Sequence, residues 1–150
     1  IRHAAVMKGY WNRAEATDEA IIDGWFHTGD AGYTDEDGYI YIHDRVKDMI
    51  ISGGENVYPA EVENALMGHE GIADVAVIGV PDDKWGEVPC AYVELKPGVA
   101  VTEAEIIEFC RSQLARFKVP KRVVFTELPK TSTGKIQKFL LRDQAENLGS

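Results

Sequence analysis

A chain of 150 residues, 45% hydrophobic and 27% charged, has the composition of a water-soluble globular protein and the length of one ordinary domain or a small domain with an appendage. No apolar run approaches the roughly 20 residues that span a bilayer, and no apolar segment follows Arg2, His3 and Lys8 as it would in a signal peptide. The net charge of −9 argues against general nucleic-acid affinity, yet residues 111–150 carry nine Lys/Arg against three Asp/Glu while the first 110 carry seven against twenty-two, a polarity that fits either a local anionic ligand such as a phosphate or a solvated basic face.

Residues 1–43 hold short aromatic-rich segments and turn signals, without a helix long enough to anchor a core. A short helix is expected from Ala14 to Ile22, a turn at Asp35-Glu36-Asp37-Gly38 and a strand at Tyr39–Ile42. So little apolar material does not fold alone. With no initiator Met, the expectation is a piece of a longer protein whose first part packs against something outside this chain.

The pattern changes after Asp44. Met49-Ile50-Ile51 reads as a buried strand, and Gly53-Gly54 as a tight turn needing positive φ. Pro59 opens a helix that runs to about Met67 and stops near Gly68, with Glu61 and Glu63 at its positive end. Val75–Val80 is a second buried strand and Tyr92–Leu95 its partnered neighbour, with Pro97-Gly98 turning after it. Thr102 and Glu105 form a capping box, and the helix behind them puts Ile106, Phe109, Cys110 and Leu114 on one face. Pro120 marks the exit, Arg122–Thr126 makes a third strand, and a last helix covers Gln137–Glu146. The expected architecture is α+β: a three-stranded sheet flanked by helices, plus a β-hairpin. Cys90 and Cys110 lie in apolar stretches without metal or redox spacing, which favours two buried free thiols over a disulfide.

Several residues invite a chemical reading beside a plain one. In the loop Leu128–Ile136, LPKTSTGKI, a phosphate-binding Walker A motif would need Gly at 129 and Ser or Thr at 136; the chain has Pro129 and Ile136, so that reading fails. What remains is a Ser/Thr/Gly-rich connection with Lys135 solvated, or a lysine carried on a mobile loop. Asp30, in His27-Thr28-Gly29-Asp30, could accept backbone hydrogen bonds in a turn or hold a cis-diol. Arg45 could pair with Asp44 or Asp48 at the surface, a contact worth little. Trp85 reads as a packed surface aromatic, and Lys118, Lys121 and Arg122 as basic helix ends with no assigned role. His3, His27, His43 and His69 have no metal spacing, and no metal site is assigned.

Two ordered matches bring these residues together. The stretch 44–63, DRVKDMIISGGENVYPAEVE, and the loop 128–136 resemble the domain-junction and final motifs of the acyl-adenylate-forming (AMP-binding) superfamily, which holds acyl-CoA synthetases, luciferases and peptide-synthetase adenylation domains. Residues 9–12 (GYWN), 24–33 (GWFHTGDAGY) and Trp85-Gly86-Glu87 fit the same pattern, so the resemblance spans essentially the whole chain. It implies that residues 1–43 are the C-terminal end of the large adenylate-forming domain and 44–150 the mobile C-terminal domain. It further implies an ATP-dependent acid–thiol ligase that activates a carboxylic acid as an acyl-adenylate and passes the acyl group to coenzyme A. Val57-Tyr58-Pro59 with Glu61-Val62-Glu63 leans toward fatty or aryl acid ligases, with a fatty acid as the expected substrate.

By the same resemblance Lys135 falls on the catalytic lysine, stabilising negative charge on carboxylate and phosphate oxygens. Asp30 falls on the carboxylate that binds the ribose hydroxyls of ATP and AMP, and Arg45 on a second ribose or phosphate contact. Lys47 falls on the hinge, and Gly53 and Gly54 on the loop lining the pantetheine channel. ATP with Mg²⁺, bound mainly by the part not included here, and coenzyme A as co-substrate are the implied ligands. A cytoplasmic location, no nucleic-acid partner and no transmembrane segment are expected, with peripheral membrane contact left open. His3-Ala4-Ala5 departs from the family where Gly is more usual before Val6-Met7, as does Lys138 where Arg is common. The alternatives are an adenylation domain that loads a carrier protein, and a docking module without catalysis. The 150 residues by themselves are expected to be inactive.

Overall fold

The computed structural model describes residues 1–148, which part into two units, one of residues 1–47 and one from Asp48 onward. In the first unit a short helix α1 (Ala14–Ala20) leads into the hairpin β1 (Ile21–Ile22) and β2 (Trp25–Phe26), and then into β3 (Asp30–Thr34) and β4 (Ile40–Arg45). β3 and β4 pair antiparallel from Thr34↔Ile40 to Asp30↔Arg45, with a register shift between Ala31 and Gly32. None of residues 1–47 is buried, and Tyr33, Tyr39, Ile40, Tyr41 and Ile42 all stand exposed. Uncovered apolar side chains in this number are the state of a segment with little core of its own. A 3₁₀ turn over Val46–Asp48 follows.

The second unit is built on one long antiparallel pair, β7 (Ile72–Asp82) and β8 (Gly86–Leu95). β8 is central. β7 lies along one side; on the other, β5 (Ile50–Ser52) pairs at Ser52↔Gly86 and β9 (Arg122–Phe125) runs parallel to residues 90–93. β6 (Glu55–Val57) completes the hairpin with β5. The expected three strands and hairpin are both present, and the hairpin is hydrogen-bonded onto the strands, so the sheet has five. Its two main strands extend well beyond their apolar runs, because Asp74, Asp82, Gly86 and Glu87 find partners in the ladder that single-residue character does not announce.

Both faces of the β7–β8 pair are covered, which explains the unbroken apolar runs in these two strands. Val75, Val77, Ala91 and Val93 point to one face, against Val62 and Leu66 of α2 (Pro59–Met67) and Ile106 and Cys110 of α3 (Glu103–Arg111). Ala76, Ile78, Val80, Val88, Cys90 and Tyr92 point to the other, against Leu141 of α4 (Lys138–Leu148) and Leu128. Pro59 and Gly68 bound α2 as expected from the sequence. The capping box is formed: the Thr102 Oγ1 accepts from the Glu105 N–H, and the Glu105 carboxylate from the Thr102 N–H. Three expectations need correction. The first helix stops at Ala20, and Ile21 and Ile22, expected within it, form β1 because they pair with Phe26 and Trp25. Ile51 is 52% exposed, because β5 has only one covered face, and Leu114 lies past the end of α3, reaching the core from the turn that follows.

Candidate functional site

In the first unit, strand pairing alone sets Asp30 opposite Arg45. The Arg45 Nε lies 3.1 Å from the Asp30 Oδ1. Arg45 therefore pairs with neither Asp44 nor Asp48, the partners its sequence position offered: the Asp44 Oδ1 accepts the Arg45 N–H, and Asp48 is held elsewhere. The turn role open to Asp30 falls to Thr28, whose Oγ1 accepts the Asp30 N–H at 3.2 Å. An acceptor carboxylate and a planar cation thus share one end of the hairpin, half exposed, beside the exposed His27.

Lys47 is exposed in the 3₁₀ turn and is the last residue of the first unit. Asp48, next in the chain, is fixed: its Oδ1 is 2.6 Å from the Arg142 Nη2 on α4, and its side chain is only 13% exposed. A solvent-exposed lysine thus adjoins a pinned aspartate.

Gly53 and Gly54 make the two-residue turn of the β5–β6 hairpin, with φ of +60° and +87°. Two successive positive φ values meet the condition of a type I′ turn, which glycine adopts without strain. At Gly53 there is a second requirement. Its N–H donates to the Trp85 carbonyl at 2.8 Å, and the Trp85 ring lies so close that a Cβ would sit 2.6 Å from Cε3. Gly54 faces open space. Trp85 is 43% exposed, with the Lys84 ammonium 4.6 Å from its ring centre. This contact was not legible in the sequence, since nothing in the spacing of Gly53 and Trp85 announces it.

Lys135 lies just past the turn of the 129–137 loop, across from Thr131, and its backbone is locked. Its N–H donates to the Thr131 Oγ1 at 3.1 Å, and its carbonyl accepts the Thr131 N–H at 2.8 Å. Gly134, at φ +84°, allows the reversal, and Thr131 and Thr133 share a hydroxyl hydrogen bond of 2.8 Å. Its side chain is exposed, and among the described residues no partner engages its ammonium. At the base of the loop the Lys130 ammonium is 2.8 Å from the Asp74 Oδ2 and 3.3 Å from the Glu94 Oε2. The Asp74 hydrogen bond, foremost, holds the Lys130 pKa above its ordinary value despite desolvation, with Glu94 assisting.

The glycine turn and the lysine loop belong to opposite ends of β8. Ser52 meets Gly86 at one end, and Glu94 receives Leu128 and Lys130 at the other. Eight residues at ~3.4 Å each separate these points by about 27 Å.

The basic C-terminal stretch is largely neutralised by pairing. Of its nine Lys/Arg, Arg111, Lys118, Lys130, Lys138 and Arg142 each have a carboxylate partner. Lys118, for one, lies 2.7 Å from Glu61. Charge counting therefore overstated the cationic surface, although among the described residues Lys135 is in no ion pair. Cys90 and Cys110 are free and buried, and burial pushes both thiols up to about 11. Among the described residues no three His, Cys, Asp or Glu side chains converge as a metal site, so magnesium ligation is assigned to none of them. Among the described residues no helix is long and apolar enough to cross a membrane.

Among known protein families, the chain matches the AMP-binding enzyme C-terminal domain over residues 61–135. The chain is 54% identical over 145 residues to the long-chain-fatty-acid–CoA ligase FadD13 of Mycobacterium tuberculosis, covering 96% of this chain and 29% of that protein. It is 57% identical over 138 residues to a feruloyl-CoA synthase of an Amycolatopsis species, covering 91% and 28%. Among solved structures it resembles the o-succinylbenzoate CoA synthetase of Bacillus subtilis in complex with its acyl-adenylate intermediate, at 41% identity and a TM-score of 0.87, over 95% of this chain and 29% of that one. The chain thus spans about three-tenths of the length of the relatives it matches.

Proposed function

Because this chain belongs to the family of AMP-binding enzyme C-terminal domains, we propose that it is the C-terminal portion of an AMP-forming acid–thiol ligase. In the first half-reaction a carboxylate oxygen attacks the α-phosphorus of ATP, forming an acyl-adenylate and releasing pyrophosphate. In the second the coenzyme A thiol attacks the acyl carbonyl, and AMP leaves. A fatty acid is the proposed substrate, in keeping with the name of the mycobacterial relative.

The observation that carries this reading is the separation of the glycine turn from the lysine loop along β8. A turn and a loop anchored at opposite ends of β8, on Gly86 and Glu94, are presented to an active site one at a time rather than together. They serve in turn if the unit from Asp48 onward rotates about Lys47, which is exposed and adjoins the pinned Asp48. In one orientation the Lys135 ammonium meets the carboxylate and phosphate oxygens where charge is rearranging; preorganised charge of this kind is worth most where water is excluded. A locked loop backbone with a free side chain suits that task. In the other orientation Gly53 and Gly54, with no Cβ, leave room for an extended thiol-bearing arm beside the backbone. In the first unit, which this reading assigns to the end of the large domain, Asp30 accepts hydrogen bonds from the two ribose hydroxyls of the nucleotide, and Arg45 orients that carboxylate.

The test is pyrophosphate release by the full-length protein with ATP, magnesium and a panel of short, long-chain and aryl acids, with and without coenzyme A. Acid-dependent release with acyl-CoA and AMP accumulating is the expected result. Release with an amino acid and no coenzyme A turnover would move the assignment to carrier-protein loading. Silence across the panel would refute the ligase reading.

A further inference from the structure

The 129–137 loop is fastened to the sheet at both of its stems. On the entry side, Lys130 bridges Asp74 and Glu94, and these two carboxylates stand directly opposite each other in the β7–β8 register. Like charges facing across an antiparallel pair destabilise it, so the sheet itself calls for a cation spanning both. Neither carboxylate is free to swing toward Lys130 by itself. The Asp74 Oδ1 accepts the Val75 N–H at 2.9 Å, and the Glu94 Oε2 accepts the Leu128 N–H at 3.2 Å. On the exit side, the Lys138 ammonium is 2.7 Å from the Glu63 Oε1, which also accepts the Val77 N–H of the edge strand at 2.7 Å. Between these anchors the Gln137 N–H closes onto the Pro129 carbonyl at 2.8 Å, and Lys130 and Ile136 form a bridge pair.

These contacts differ from the display of Lys135. Lys130 and Lys138 look inward to carboxylates that are themselves held, whereas Lys135 points to solvent. We propose that Lys130, clamped between Asp74 and Glu94 and seconded by Lys138 on Glu63, is a positioning residue: it fixes the stems of the loop and so sets where the Lys135 ammonium reaches. The proposal rests on the reading of Lys135 given above. In that reading the clamp belongs to the first half-reaction alone, because the glycine turn that serves the second lies at the far end of β8.

The test uses the full-length protein with Lys130→Met, Lys130→Arg, Lys135→Ala and the triple variant Asp74→Asn, Glu94→Gln, Lys130→Met. Three readouts are compared: deuterium exchange of the peptide spanning 129–137, acid-dependent ATP–pyrophosphate exchange, and thioester formation from supplied acyl-adenylate. Lys130→Met is expected to speed loop exchange and to lower the adenylation kcat by about ten- to a hundredfold, as an ångström-scale misplacement does. The KM for ATP and the thioester step should move by no more than about threefold. Lys130→Arg, which also spans two carboxylates, should restore both. The triple variant removes the facing charges, so its melting temperature should recover while adenylation stays low. Recovery of adenylation in the triple variant would reduce Lys130 to a structural cation and overturn the proposal. So would unchanged loop exchange in Lys130→Met, or a rise in KM at constant kcat. Wild-type adenylation by Lys135→Ala would instead overturn the reading of Lys135, and the clamp would then stand or fall on loop exchange.

Discussion

Gly53→Ala is the substitution whose cost the geometry defines most closely. The backbone at Gly53 has φ +60°, where an L side chain costs about 1–2 kcal/mol. The new methyl would also sit 2.6 Å from the Trp85 Cε3, so the ring or the hairpin must give way. Overpacking of this kind adds about 1–3 kcal/mol. Gly54→Ala is the internal control: its φ of +87° carries the first cost, but its Cβ would meet nothing within 4 Å. The expected difference between the two variants is therefore the overpacking alone. In calorimetry the transition of the second unit should fall by about 4–8 °C more per kcal/mol of difference in Gly53→Ala than in Gly54→Ala. Trp85→Ala placed in the Gly53→Ala background should remove most of that excess. Equal losses in the two glycine variants, or an excess that survives Trp85→Ala, would refute the contact as the cause.

Further outcomes follow from the same contacts. Arg142→Met should destabilise the second unit by about 1–3 kcal/mol by leaving the part-buried Asp48 without its partner, while Arg142→Met with Asp48→Asn should cost markedly less; urea denaturation of both separates the lost pair from the orphaned charge. Cys90 and Cys110, buried with thiols raised to about 11, should resist iodoacetamide at pH 8 in the native state and react in urea, as read by intact mass. Glu105 has its pKa lowered, first by the Thr102 hydroxyl and then by the Thr102 N–H. A lowered folded value means that its stabilising effect is full above the unfolded carboxylate pKa of about 4.3 and is lost as pH falls through the folded value. Thr102→Ala should therefore flatten the melting-temperature profile in that acidic window and leave its neutral limb parallel to the parent.

Sequence reading succeeded where the signal is local. Pro59 and Gly68 punctuate α2, the pair Thr102 and Glu105 caps α3, and the run Val75–Val80 announces a strand because both of its faces are covered. It fell short where partners come from distant segments. The bridge from Lys130 to Asp74 and Glu94, the seat of Trp85 on Gly53, and the pairing of Arg45 with Asp30 are products of strand register and loop return. The charged and glycine-bearing ends of β7 and β8 were missed for a similar reason. Asp74 and Gly86 have poor strand character, and the ladder holds them nonetheless. At the candidate site, residue types and motif order were legible, but the fixed distance between glycine turn and lysine loop needed the sheet that separates them.

The claim that one rigid unit serves two half-reactions from opposite ends is tested most directly by Lys135→Ala in the full-length protein, with the two half-reactions assayed separately. The account predicts loss of acid-dependent ATP–pyrophosphate exchange by at least about a hundredfold, with thioester formation from supplied acyl-adenylate kept within a few-fold of the parent. Equal loss of both half-reactions, or survival of both, would contradict it.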